Sequence, residues 1–234
     1  TWWDQSSVIR SAFHRAFQIH KSRQEDLRAW VLFFIALHDL GKFDIRFQLQ
    51  APQAMLKCWP EFDSNGIDSS KRVIDKFYHG QAGYAWASRE YKDWCETDDQ
   101  FEELWDSWQP WLAAVTGHHG ELPETAEISK PDGRSRDLAI KHDQNARREW
   151  VQTAESFFLK PVGIDIAQVQ PPNNCCAQSQ SIVAAQNLLA GFCSVCDWIG
   201  SNTSRDAFPY QALLLKCDEY SKKCVSCASN NNVL

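Results

Sequence analysis

Eight consecutive residues without a charge, Trp30 to Leu37, run directly into an imidazole and a carboxylate, His38 and Asp39. A segment this apolar is a core segment. An unpartnered carboxylate carried in beside it would cost several kcal/mol. The chain must therefore fold so that a metal or another cation reaches Asp39. Further donors of the right kind are His79, followed by Gly80, the pair His118-His119 between Gly117 and Gly120, and Asp197. Together they form a set of nitrogen and oxygen ligands suited to one or two divalent metals.

At 234 residues the chain has the length of one large domain, and 44% hydrophobic residues with 11 tryptophans supply a substantial core. No apolar stretch reaches the roughly 18 residues that cross a bilayer, so a soluble protein without a membrane partner is expected. The net charge of −6 argues against a protein that coats duplex nucleic acid with a basic surface. It leaves room for an enzyme that holds a strand locally. The first residue is Thr and no signal-peptide pattern follows, so the natural start is expected upstream. Nine cysteines without a secretory signal predict free thiols in a reducing, cytoplasmic compartment. Two C-x-x-C pairs, Cys193/Cys196 and Cys224/Cys227, could make a zinc site. The first pair lies inside an apolar helical pattern, so packing is the preferred reading and loss of Cys224 and Cys227 is expected to be nearly neutral.

The periodicity predicts an all-α fold. Ser6 to His20 is amphipathic, with Val8, Ile9, Phe13, Phe17 and Ile19 largely on one face. Asp26 to Leu40 reads as the central buried helix, closed by Gly41 as the residue that tolerates a left-handed turn. Phe43 to Trp59 continues helically with a break at Pro52, and another helix is expected around Lys71 to Phe77. His79-Gly80 opens the next helix. Residues 93–103 are acidic and read as solvated, Trp105 to Thr116 is an apolar helix, and Glu121 to Arg136 is an excursion. Ala139 to Leu159 reads as a long helix stopped by Pro161, and Ser181 to Gly200 as a second buried helix. The chain divides into a metal-binding domain over 1–205 and a weakly patterned segment over 206–234.

The donors share a placement. His38, Asp39, His118, His119 and Asp197 fall at or near the C-terminal ends of apolar helices, and His79 at a helix start. Helix ends are where several elements can converge side chains without opening the core. Adjacent residues lie about 100° apart around a helix, so a His-Asp pair can bracket a pocket and its carboxylate can reach a cation on either side. Asp197 is the only acidic or basic side chain from Ile182 to Ser204, which makes a ligand or hydrogen-bond partner for it necessary. Taken alone, His79 reads equally as a satisfied structural histidine, and Lys42 as an exposed lysine at a helix end. His14, His20 and His142 fall on polar helical faces and read as surface residues.

The local strings resemble a known family. Leu37 to Phe43, Tyr78-His79-Gly80, Thr116 to Gly120, Ala190 to Phe192 and Asp197 to Ser201 are similar to the N-terminal HD nuclease domain of the CRISPR-associated helicase–nuclease of type I systems, most of all the enterobacterial branch recruited by Cascade. This is a branch of the HD superfamily of all-helical, metal-dependent phosphohydrolases, and the likeness runs from Trp2 to about Ser201. It implies an HD-domain helical bundle with a metal site at converging helix ends. It implies that Asp39 bridges two metals, with His38 and Asp197 on the first and His79, His118 and His119 on the second, and that Lys42 lies beside the site to touch a phosphate or the attacking water. The family carries a further histidine ligand upstream of the position of Trp2-Trp3, outside this sequence. No G-x-x-x-x-G-K-[ST] phosphate loop occurs here, so the helicase would be a separate domain or protein.

Two metals roughly 3.5–4 Å apart suit phosphodiester hydrolysis, and mixed His/Asp ligation favours Mn, Fe, Co or Ni over Mg. The leading expectation is a metal-dependent nuclease acting on single-stranded DNA in CRISPR interference, with a helicase and the Cascade complex as partners. Two other readings stand beside it: an HD phosphohydrolase of nucleotides or cyclic dinucleotides, and a non-catalytic HD interaction module.

Overall fold

The computed structural model of the chain describes residues 2–17, 24–53, 55, 77–92, 97–123, 130–131, 133, 135–172 and 179–201. Among these residues every regular element is helical, as the missing strand alternation predicts. The helices expected at 56–59 and 71–76, His20, Cys224/Cys227 and the segment 206–234 lie outside the described residues.

Helix α1 (Trp2–Gln5) leads into α2 (Ser7–Phe17), whose entry is fixed by Ser6 Oγ accepting the Ile9 N–H at 3.2 Å. The apolar run forms α3 (Gln24–Ala36). This helix stops short of Leu40. The chain turns at 37–39 and tightens into a 3-10 turn over Leu40–Phe43, so His38 and Asp39 sit just past the helix. Asp44 then caps the short α4 (Ile45–Gln48), its Oδ1 accepting the Arg46 N–H at 3.0 Å. His79 is the first residue of α5 (His79–Lys92). Thr97 caps α6 (Asp98–Thr116), a helix that runs through Pro110 and ends at the His118-His119 turn. Helix α7 (Arg136–Ala154) begins at Arg136 rather than Ala139, and its last turn widens into a π turn over Glu155–Leu159. The chain then leaves by a 3-10 turn, Lys160–Val162, into Gly163 at φ 77°. Last is α8 (Ser179–Gly200).

The core gathers α2, α3, α6 and α8 around aromatic rings. Phe34 stacks on Trp30 at 5.9 Å and on Trp111 at 5.0 Å, with Trp108 edge-on at 5.3 Å, and Phe17 stacks on Trp111 at 4.4 Å. Each such ring removes roughly 150–250 Å² from water, about 4–6 kcal/mol of transfer free energy before entropy is charged against it. Trp3, Trp30, Trp86, Trp108 and Trp111 are buried, whereas Trp150 and Trp198 are exposed.

Three sequence expectations change. Helix α8 is buried on one face only, through Ala185, Leu189 and Cys193, while Val183, Val195 and Trp198 face out. A run without charges looks the same whether it is covered on one side or on two. His14 is half-buried, edge-on to Trp3 at 6.3 Å, with both ring nitrogens shielded from water; His142 is exposed as expected. Gly41 does not adopt a left-handed conformation. It is a glycine because a Cβ there would collide with the carbonyl oxygen of His79, with the Gly83 backbone N 2.7 Å away. Gly83 is restricted reciprocally by the Gly41 N at 2.8 Å, and Gly80 by the Thr116 carbonyl. Backbone-to-backbone approach at these glycines seats the start of α5 against the His38–Asp39 turn and the end of α6.

Behind that turn lies a buried charge cluster. Asp44, fully shielded, accepts from Arg46 Nε at 2.8 Å and Nη2 at 2.7 Å and from Trp86 Nε1 at 2.8 Å. Glu90 pairs with Arg147, whose guanidinium lies 4.8 Å over the Trp86 ring. Asp143 Oδ2 accepts the Ile45 N–H at 2.8 Å, stitching α7 to α4 across the sequence. Burial, with the Asp44 charge adding to it, raises the Asp143 carboxyl from 3.8 to about 8 against the pull of the Ile45 N–H, Arg147 and Arg46.

The folded chain thus holds a proton that the unfolded chain releases near pH 3.8, so Asp143 removes stability progressively from pH 4 to 8 and no more beyond. Asp143→Asn keeps the shape and the Ile45 bond but cannot titrate. The unfolding free energy from urea titrations should fall less between pH 5 and pH 8 in the variant than in the wild type, by a difference on the order of a few kcal/mol. Parallel falls would show that Asp143 is ionised in the fold.

Candidate metal centre

The turn after α3, the start of α5, the turn after α6 and the last turns of α8 meet at one place, and His38, Asp39, Lys42, His79, His118, His119 and Asp197 meet with them. Asp39 is the hub. Its Oδ2 lies 3.1 Å from His38 Nε2 and 2.7 Å from Lys42 Nζ, while its Oδ1 lies 3.5 Å from His79 Nε2. The two carboxylate oxygens therefore face different histidines. On one side, His38 Nε2 is 3.5 Å from Asp197 Oδ1, and His118 Nε2 is 3.8 Å from Asp197 Oδ2. On the other, His119 Nε2 is 3.0 Å from His79 Nε2.

Among the described residues two groups could each hold a metal ion: His79 with His118 and His119, and His38 with His118 and Asp197. His118 belongs to both. The family resemblance implies His118 on the second metal with His79, His119 and the bridging Asp39; in the fold His118 also faces Asp197.

The orientation of the rings is set by the helices that carry them. His38 Nδ1 is 2.7 Å from the Ile35 carbonyl, and His118 Nδ1 is 2.7 Å from the Val115 carbonyl. A carbonyl only accepts, so in each neutral ring the proton sits on Nδ1 and the lone pair is on Nε2. Both Nε2 atoms, and Asp39 Oδ1, are buried without an aligned hydrogen-bond partner. Three orphaned acceptors around two carboxylates are what a cation site presents when read from its donors.

The charges divide the set: without an ion His38 is drawn toward its protonated form, whereas His79 and His118 are drawn toward the neutral one. Burial resists protonation of His38, but the contact with Asp39 and the charges of Asp39 and Asp197, helped by the Ile35 carbonyl, raise its pKa. Burial likewise resists ionisation of Asp39, and His38 and Lys42 overcome it, holding the carboxyl well below its usual range. His79 is pushed down to about 4, by burial first and then by Lys42, His119 and His118 against the pull of Asp39. Burial also lowers His118, with the His38 and His119 charges adding to it. At neutral pH, His79 and His118 are thus neutral, the form in which imidazole ligates metal.

Several supporting residues were not singled out in the sequence. Ser194 Oγ donates to the His118 carbonyl and so ties α8 to the histidine turn. The Phe47 ring stands edge-on to His79 at 5.5 Å. Ile35 and Val115 act through backbone oxygens, which no side-chain pattern reveals. Cys193 is fully buried against the Val115 carbonyl, and burial with the nearby Asp197 charge pushes Cys196 up to about 11, so both thiols stay protonated at neutral pH.

Comparison with known proteins follows the same donors. Residues 1–205 match the family described as Cas3, HD domain. Over 217 residues the chain is 38% identical to the CRISPR-associated endonuclease/helicase Cas3 of Escherichia coli K12, an alignment covering 88% of this chain and 22% of that protein. The chain thus spans about a fifth of the length of that relative. No solved structure matches it.

Proposed function

The chain belongs to the Cas3 HD-domain family, and from that membership we propose that it is a metal-dependent nuclease that hydrolyses the phosphodiester bonds of single-stranded DNA in CRISPR interference. The observation that carries the reading is the pair of carbonyl-anchored imidazoles, His38 and His118, whose Nε2 atoms face Asp39 and Asp197. A structural histidine has no need of a buried, unsatisfied lone pair. A ligand does.

In this reading His38, His118 and Asp197 would hold one divalent ion and His79, His118 and His119 a second, with Asp39 as the carboxylate between the two groups. His79 and His119 present nitrogen donors, which favours Mn, Fe, Co or Ni over Mg. When bound, the ions neutralise charge on the phosphodiester oxygens and make water acidic near neutral pH. The chain's own residues do the rest. Asp39 fixes the orientation of Lys42 through the 2.7 Å contact, leaving an ammonium at the edge of the centre where a non-bridging phosphate oxygen or an attacking water comes to rest. The carbonyl anchors hold the imidazoles so that little reorganisation accompanies reaction. Asp39 and Lys42 are the catalytic residues proposed here.

The Escherichia coli relative is named an endonuclease/helicase. We carry the endonuclease half to this chain. A helicase domain, fused or separate, is the partner that delivers single strands, and the Cascade surveillance complex is the partner that recruits the pair to DNA in the cytoplasm. Among the described residues no helix is long and apolar enough to cross a membrane.

The test is a metal titration of the chelator-stripped chain, read by calorimetry, with parallel turnover of circular single-stranded DNA and of small nucleotides. One or two equivalents of Mn, Co or Ni should bind, and circular DNA should be opened only in the metal-loaded protein. Turnover of nucleotides without DNA cleavage would replace this reading with a nucleotide phosphohydrolase, and absence of stoichiometric metal would leave an interaction module.

A further inference from the structure

Beside the metal centre an open groove runs between the start of α5 and the segment following α6. Tyr78, Gln81, Glu121, Leu122 and Pro123 line it, together with His119 of the centre itself. The placement follows from the glycines. Gly80 lets the α5 start touch the Thr116 carbonyl, and Gly117 sits where a Cβ would meet the Leu122 side chain and the Glu121 carbonyl, so both walls pack closely at glycines. Tyr78 is the residue just before the ligand candidate His79, and 72% of its surface is exposed, although its own carbonyl is committed to the Ala82 N–H at 3.0 Å. A large, exposed aromatic ring thus stands next to the metal centre, where a bound substrate would meet it.

The charge distribution selects what can lie there. Lys42 contacts Asp39 Oδ2, whereas the groove begins at His79, on the Oδ1 side. Among its described lining residues the groove has no Lys or Arg, and it has the carboxylate Glu121. A phosphate chain is repelled from such a wall and drawn toward Lys42. A nucleobase is suited to it: neutral, flat, with one face for the Tyr78 ring, and with edge groups for the Gln81 amide and the Glu121 carboxylate.

We propose that Tyr78 is a stacking platform for the base of the nucleotide adjoining the scissile phosphate, so that the groove binds a base and the Lys42 side binds the backbone. This assignment rests on the single-stranded DNA reading given above. It makes Tyr78 a binding residue that grips strands without regard to sequence, since every base has a π-face.

The experiment is an anisotropy titration of the full chain with a fluorescein-labelled 12-nucleotide single strand, in chelator so that nothing is cut, repeated with an oligonucleotide of abasic residues. Tyr78→Ala should weaken binding of the normal strand by roughly 5- to 100-fold, the range of one base–aromatic stack, and weaken the abasic strand far less. Tyr78→Trp should restore the normal strand. Circular dichroism confirms that each variant is folded. Equal affinity of Tyr78→Ala and wild type, equal losses on both strands, or no binding by the wild type would each overturn the assignment. Tyr78-dependent binding in a chain that cuts no DNA with any divalent metal would instead sink the nuclease reading and leave the base subsite standing.

Discussion

Asp39→Ala is expected to lower DNA cleavage on the order of a thousandfold or more and to strip most of the bound metal, while leaving the helical content intact. The carboxylate touches His38, Lys42 and His79 at 3.1, 2.7 and 3.5 Å, so its removal takes the shared anion from three groups at once. Two cations brought close together without that anion repel each other, and Lys42 loses the contact that orients it. The fold should survive because Asp39 lies in a turn at the edge of the core, its side chain still 28% exposed. Asp39→Asn keeps the shape and loses the charge; it should be nearly as inactive, which separates electrostatics from packing. Metal content by atomic emission, cleavage of circular single-stranded DNA and circular dichroism give the three readouts. Wild-type cleavage in a folded, metal-poor variant would end the bridging assignment.

Gly41→Ala should be the most damaging added methyl among the described glycines. The new Cβ would fall on the His79 carbonyl oxygen and lie 2.7 Å from the Gly83 backbone N. Both obstacles are backbone, so no side chain can swing aside and the two segments must separate. The expected cost is about 3 kcal/mol or more, or roughly 10 °C in melting temperature for a domain of this size. The same separation pulls His79 away from Asp39, so cleavage should fall even at temperatures where the variant is folded. Gly191→Ala is the control. Nothing lies within 4 Å of its added methyl on the outer face of α8, and alanine is the better helix former, so it should be neutral or stabilising by up to about 1 kcal/mol. Equal melting temperatures for Gly41→Ala and wild type would mean that the turn after α3 adapts freely, and that the glycines do not set the geometry of the centre.

Helices were legible wherever one face repeats an apolar pattern. Ser7–Phe17 and Gln24–Ala36 follow their periodicity closely, because burying that face is what stabilises each of them, whereas α6 starts at Asp98, seven residues before the apolar pattern that begins at Trp105. The donors were legible as a set because charged or imidazole groups beside apolar runs are rare and demand partners. What stayed hidden was whatever depends on contacts between distant segments. The presence of Gly41 was noticed, but its reason lies in His79 and Gly83, which no local rule could supply. The Asp143 bond to Ile45 spans 98 residues and the Arg147 pair with Glu90 spans 57, so nothing local in the sequence marks either residue as buried. His14 read as a surface residue because its helical neighbours are polar, although Trp3 from the preceding helix covers part of its ring.

The anchors on Ile35 and Val115 have a consequence for how ligand variants are designed. At two helix ends in this protein the imidazole that faces the centre adds a ring N–H bond to a carbonyl that the same residue's backbone N–H already reaches, at 3.2 Å for Ile35 and 3.4 Å for Val115. His38 and His118 are therefore C-terminal caps as well as donors, through different atoms of one ring. Alanine removes both functions, so a slow, unstable alanine variant does not reveal which was lost. Asparagine places its amide nitrogen close to where Nδ1 stood and has nothing at the position of Nε2. The two functions are a ring's width apart, and that width is what makes them separable.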